Sequence, residues 1–84
     1  LDGEYEIVGF SEATGNDAGT VIWECKTPEG LTFRVRPRGT REARAEQYQN
    51  GNDYIGKQLT VRYQELTDDG VPRFPVGITI RDYE

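Results

Sequence analysis

The chain has no histidine and no methionine, one cysteine, one tryptophan, and only two lysines among its ten basic residues. Each scarcity excludes something. Without histidine there is no imidazole for acid–base work near neutral pH, no Ser–His or Cys–His nucleophile, and few routes to a zinc site. Cys25, being alone, cannot form an internal disulfide and suits a reducing, intracellular setting. No apolar run approaches the ~20 residues that span a bilayer, and no signal-peptide pattern opens the sequence, so no membrane partner is expected. The missing initiator methionine points to an excised domain or a processed chain. Ten glycines are dispersed among turns rather than gathered into a phosphate-cradling loop. The neighbouring acids Asp68 and Asp69, like Asn16 and Asp17, read as turn formers rather than metal ligands.

What is present is a small β protein. The 84 residues make one domain, 1–84, able to bury roughly 60–65 % of its unfolded surface. Five segments alternate with period two. In Glu4–Phe10, Tyr5 and Ile7 share a face. In Val21–Lys26 it is Val21, Trp23 and Cys25, and in Thr32–Arg36 it is Phe33 and Val35. Leu59, Val61 and Tyr63 align in Gln58–Gln64, and Val76, Ile78 and Ile80 in Phe74–Arg81. Pro37 ends the third strand because it cannot donate a ladder hydrogen bond. A helix over about Arg41–Asn50 follows, with Thr40 as N-cap, Glu42 in its first turn and Gly51 as its stop. Ala45 and Tyr48 give this helix an apolar face to plug one end of a sheet, with Tyr54 and Ile55 beside it. The order β-β-β-α-β-β predicts an all-β, five-stranded OB-fold, a Greek-key barrel with one helix between strands 3 and 4. An SH3-like barrel would not need a three-turn helix there.

Charge is unevenly spread. Arg34 to Arg44 holds five arginines against Glu42, a net +4 over eleven residues, whereas the remaining 73 residues sum to −9. Arginine used almost without lysine favours planar phosphate contacts over solubility alone. Alternation sets Arg34 and Arg36 on the outer face of the third strand. Arg38 follows at once and Arg41 opens the helix, with Lys26 and Arg62 as bordering bases. On an OB-fold such residues would neutralise phosphates without reading sequence. The competing reading is a solvated strand and helix face that happens to carry arginine. Few exposed aromatics accompany these bases, which favours duplex backbone over single strands, and Trp23 reads as core.

The C-terminal block Lys57–Glu84, KQLTVRYQELTDDGVPRFPVGITIRDYE, carries an Asp-Asp-Gly turn, a Pro-Arg-Phe-Pro element and a closing Ile-Arg-Asp. With Tyr-Glu-Ile-Val-Gly near the start, Phe33–Pro37 and Ile55-Gly56-Lys57, it resembles the C-terminal OB domain of small ATP-dependent DNA ligases of phage, viral and bacterial type. That resemblance implies a domain that clamps nicked duplex DNA. It also implies that Arg81, with Asp82, belongs to the last nucleotidyltransferase motif, where the arginine contacts ATP phosphates during enzyme adenylation. ATP and Mg2+ would serve the full enzyme, with none bound by this domain alone. The partner would be the adenylation domain of the same enzyme. It would supply the Lys-x-Asp-Gly lysine, since Lys26 and Lys57 stand in no such motif, and the isolated domain should be inactive. A monomer in the cytoplasm of a bacterium, or of a cell infected by a phage or virus, would follow. Many relatives carry a lysine soon after the arginine, where this chain has Tyr83-Glu84. Taken by itself, Arg81 is an ordinary exposed strand-end arginine. A free-standing nucleic-acid-binding OB module and a barrel that binds an acidic protein are the alternatives.

Overall fold

The computed structural model describes residues 1–81. The strands are β1 (Asp2–Glu12), β2 (Val21–Lys26), β3 (Thr32–Pro37), β4 (Gln58–Arg62), β5 (Glu65–Leu66), β6 (Pro72–Arg73) and β7 (Val76–Arg81). The helix α1 (Arg41–Gln49) lies between β3 and β4. Five strands close a barrel in the order β1-β2-β3-β7-β4, while β5 and β6 form a separate hairpin in the β4–β7 connection. All pairings are antiparallel except β3 with β7. A closed five-stranded barrel with a helix after the third strand is the expected OB-fold.

The core follows the period-two pattern. Tyr5, Ile7, Val21, Trp23, Cys25, Phe33, Val35, Leu59 and Val61 form one buried cluster. Trp23 is fully buried, so it is core. Phe10 meets Trp23 edge-on at 6.1 Å and Tyr48 of α1 at 5.9 Å, and Tyr54 meets Trp23 at 5.5 Å. These aromatic contacts are how the mostly polar helix closes the barrel end. The Thr40 hydroxyl accepts a hydrogen bond from the Ala43 amide, the expected N-cap.

Several details correct the sequence reading. The fourth strand stops at Arg62 rather than Gln64, and the fifth starts at Val76 rather than Phe74. Val76, expected inside, is exposed; Ile78 is half-buried, and Gly77 is buried instead. The cause is a bulge: Thr60 pairs with Thr79 but Val61 pairs with Gly77, leaving Ile78 as the extra residue and reversing the alternation before it. A Cβ on Gly77 would sit 3.1 Å from the Pro37 Cα, so glycine permits the close β3–β7 approach that seals the barrel. Gly51 does end the helix region, but not through a left-handed cap. It is buried, and a Cβ there would lie 2.6 Å from the Phe10 ring. Ile55 is exposed; Tyr54 takes the place against Trp23. The β5–β6 hairpin adds to the sequence expectation, since two-residue strands carry no periodic signal.

Candidate functional site

The six bases expected to meet a polyanion are all exposed. Arg34 and Arg36 project outward from β3 because Phe33, Val35 and Pro37 face inward. Lys26 ends β2, where it pairs with Thr32. Arg38 follows Pro37, its amide donating 2.8 Å to the Gly77 carbonyl, which fixes its backbone against β7. Register then brings Arg62 close. Val76 pairs with Arg36 on one side and Arg62 on the other, so an Arg–Val–Arg row crosses β3, β7 and β4. At ordinary strand spacing its two arginine Cα atoms are roughly 10 Å apart.

The bases differ in what holds them. Arg36 Nη2 lies 2.9 Å from Asp17 Oδ2 and Arg62 Nε 3.1 Å from Asp2 Oδ1. Arg41 donates 3.4 Å to the Ala18 carbonyl. Lys26, Arg34 and Arg38 make no ion pair among the described residues. Arg44, from the same basic block, is nearly buried and reaches toward Asp17 at 3.7 Å. So the block divides, with Arg34 and Arg38 facing solvent while Arg36, Arg41 and Arg44 converge on the β1–β2 loop. Glu24, paired with Arg34 across β2 and β3, is an acid within the face.

Two residues beside this face escaped the sequence reading. Phe74 is 65 % exposed, and the other aromatics among the described residues are buried or half-buried. Its φ of 51° is uncommon for a bulky side chain and carries a backbone cost. The Arg73 guanidinium stands 5.8 Å over its ring. The sequence signal at this position is the Pro-Arg-Phe-Pro element.

Arg81 sits elsewhere. It pairs with Gln58 at the far end of β7, five residues on from Val76 and hence roughly 16 Å along the strand. Its Nε lies 3.3 Å from Glu4 Oε2, both side chains being partly exposed. Asp82 lies outside the described residues. Among the described residues no three of Asp, Glu and Cys gather to hold a metal, and no helix is long and apolar enough to cross a membrane. Burial pushes the Cys25 thiol up to about 12, with Glu24 adding to the shift, so this thiol is no nucleophile near neutral pH.

Comparison with known proteins decides the family. The model of the DNA ligase OB-like domain matches residues 19–81. The chain belongs to that family. Among solved structures, the ligase OB-like domain is similar to a Lig E DNA ligase, from work on DNA binding with a minimal scaffold. That match has a TM-score of 0.75 and 21 % identity over 96 % of this chain and 30 % of the other. It is also similar to Chlorella virus DNA ligase–adenylate, with a TM-score of 0.74 and 30 % identity over 100 % of this chain and 31 % of the other. The domain therefore spans about a third of the length of these structures. Among curated proteins no significant match is found.

Proposed function

We propose that this domain is the C-terminal clamp of an ATP-dependent DNA ligase. Its exposed bases hold the backbone of nicked duplex DNA, and its Arg81 serves ATP during enzyme adenylation. The observation that supports this reading best is the outward arginine surface of β3, extended by register to Arg62. Lys26, Arg34 and Arg38 offer charge to phosphates directly, Arg36, Arg41 and Arg62 through exposed contacts that water or phosphate can replace. Phe74 gives the same region an apolar contact beside Arg73. Such contacts position a duplex without reading its sequence, which suits a nick-sealing enzyme.

Arg81 supplies a different service at the other end of β7. In adenylation a lysine amine attacks the α-phosphorus of ATP and pyrophosphate departs. A guanidinium on the β- and γ-phosphates would stabilise the charge on that leaving group and keep it in line with the nucleophile. The lysine comes from the adenylation domain of the same polypeptide, and the domain alone is inactive. Mg2+ would be held by the nucleotide and that partner domain. The working enzyme is a monomer inside the cell. The test is Arg81→Ala in the full ligase. Formation of the lysine–AMP adduct should fall at least ~100-fold, in the range seen when one charge-stabilising group is lost, while sealing of a pre-adenylylated nick falls far less. Equal loss in both steps would refute the role.

A further inference from the structure

We propose that Asp17 is a movable counter-ion for Arg36: it holds the guanidinium in the free protein, and a backbone phosphate of bound duplex takes its place. The inference rests on the nucleic-acid reading above. Its basis is the asymmetry of the Arg36–Asp17–Arg44 cluster. Asp17 Oδ2 contacts Arg36 Nη2 at 2.9 Å, while Oδ1 stands 3.7 Å from Arg44 Nη1. The Arg36 side chain is 57 % exposed and that of Arg44 only 14 %. Arg44 is thus a mostly buried cation with one long contact, and its Nε is buried without a hydrogen-bond partner. A buried cation gains more from a close carboxylate than an exposed one does. If Arg36 turns to a phosphate, Asp17 can close on Arg44 and its charge is not stranded.

The loop is built to survive that exchange. Arg41 holds the Ala18 carbonyl, the Gly19 amide donates 2.9 Å to Glu12, and the Ala13 amide donates 2.9 Å to Thr20. The Thr20 hydroxyl and amide both donate to the Asp17 carbonyl. None of these bonds uses the Asp17 carboxylate, so the backbone stays anchored while the side chain moves. Arg36 is also suited to the exchange, because a guanidinium engages a phosphate with two parallel donors. Asp17 therefore tunes affinity: it lowers the charge that the free domain shows to polyanions and yields to the correct one.

The experiment is a double-mutant cycle in the full-length ligase, measuring affinity for nicked duplex at fixed salt. Asp17→Asn should tighten binding about 1.5- to 5-fold, the range expected on releasing an exposed ion pair, and Asp17→Glu should bind as the native protein does. In an Arg36→Ala background Asp17→Asn should bring no gain. Unchanged or weaker binding by Asp17→Asn alongside wild-type-like Asp17→Glu would overturn the proposal, as would a gain that persists without Arg36. Arg34→Ala and Arg38→Ala separate the two levels of argument. If they weaken binding and Asp17→Asn does nothing, only the counter-ion role falls. If they too leave binding unchanged, the interface itself is misplaced and the proposal falls with it.

Discussion

Arg34 and Arg38 are the exposed arginines of the basic block that neither a carboxylate nor a backbone carbonyl holds through the side chain, so their loss should appear cleanly in the salt dependence of DNA binding. Each phosphate neutralised by a cation contributes about −0.9 to the slope of log K against log salt for duplex DNA. Replacing both with alanine should reduce the slope by about 1.8. Over a four-fold rise in salt, from about 50 to about 200 mM, the native protein should lose about twelve-fold more affinity than the double variant. The assay is fluorescence anisotropy of a labelled nicked duplex titrated with the full ligase at several salt concentrations. Both side chains stand off the barrel surface, so melting temperature should be unchanged, which separates lost contact from lost fold. Parallel salt lines for native and variant proteins would show that these arginines face solvent in the complex, and would refute the interface.

Two predictions concern the fold that carries the site. Gly51→Ala would drive a methyl group to 2.6 Å from the Phe10 ring, disturbing the Tyr48–Phe10–Trp23 contacts that seat α1. A stability loss of about 1–3 kcal/mol is expected from such overpacking, with a shift in Trp23 emission, and a native-like melt with unchanged emission would contradict it. The second concerns alkaline pH. The Cys25 thiol is raised from an ordinary value of 9.0 to about 12, first by burial and then by Glu24. Burial likewise raises Tyr5, with Tyr63 contributing. Because the folded state keeps these protons longer, their contribution is intact below about pH 9. The Cys25 part is lost at up to ~1.4 kcal/mol per pH unit as pH rises from about 9 toward 12, and Tyr5 acts in the same direction. Chemical denaturation midpoints should therefore fall above about pH 9, and Cys25 should resist alkylation until the protein unfolds. A flat midpoint across this range would show that the core is wetter than its packing implies.

Much of the barrel is legible along the chain because strand burial is a local alternation. Phe33 and Val35 point inward and Arg34 and Arg36 outward whatever the neighbouring strand is. The helix start is equally local, since Thr40 needs only the amide of Ala43 to cap it. Val76 departs from the alternation because its face is set by a bulge, and a bulge exists only relative to the partner strand β4. Gly51 falls at the expected boundary for a reason that the local sequence does not carry, because the Phe10 ring that requires it comes from β1.

For the candidate site the division is sharper. Composition and alternation located the basic block and its exposed side, since charge and strand period are properties of the chain itself. Which arginines would be free was decided by folding, which brought the β1–β2 loop with Asp17 against β3 and α1 and set Asp2 and Glu4 beside Arg62 and Arg81. Ion pairs act over a few ångströms and between residues distant along the chain. The sequence by itself therefore determined where the positive charge lies, and only the closed barrel determined which of it is available.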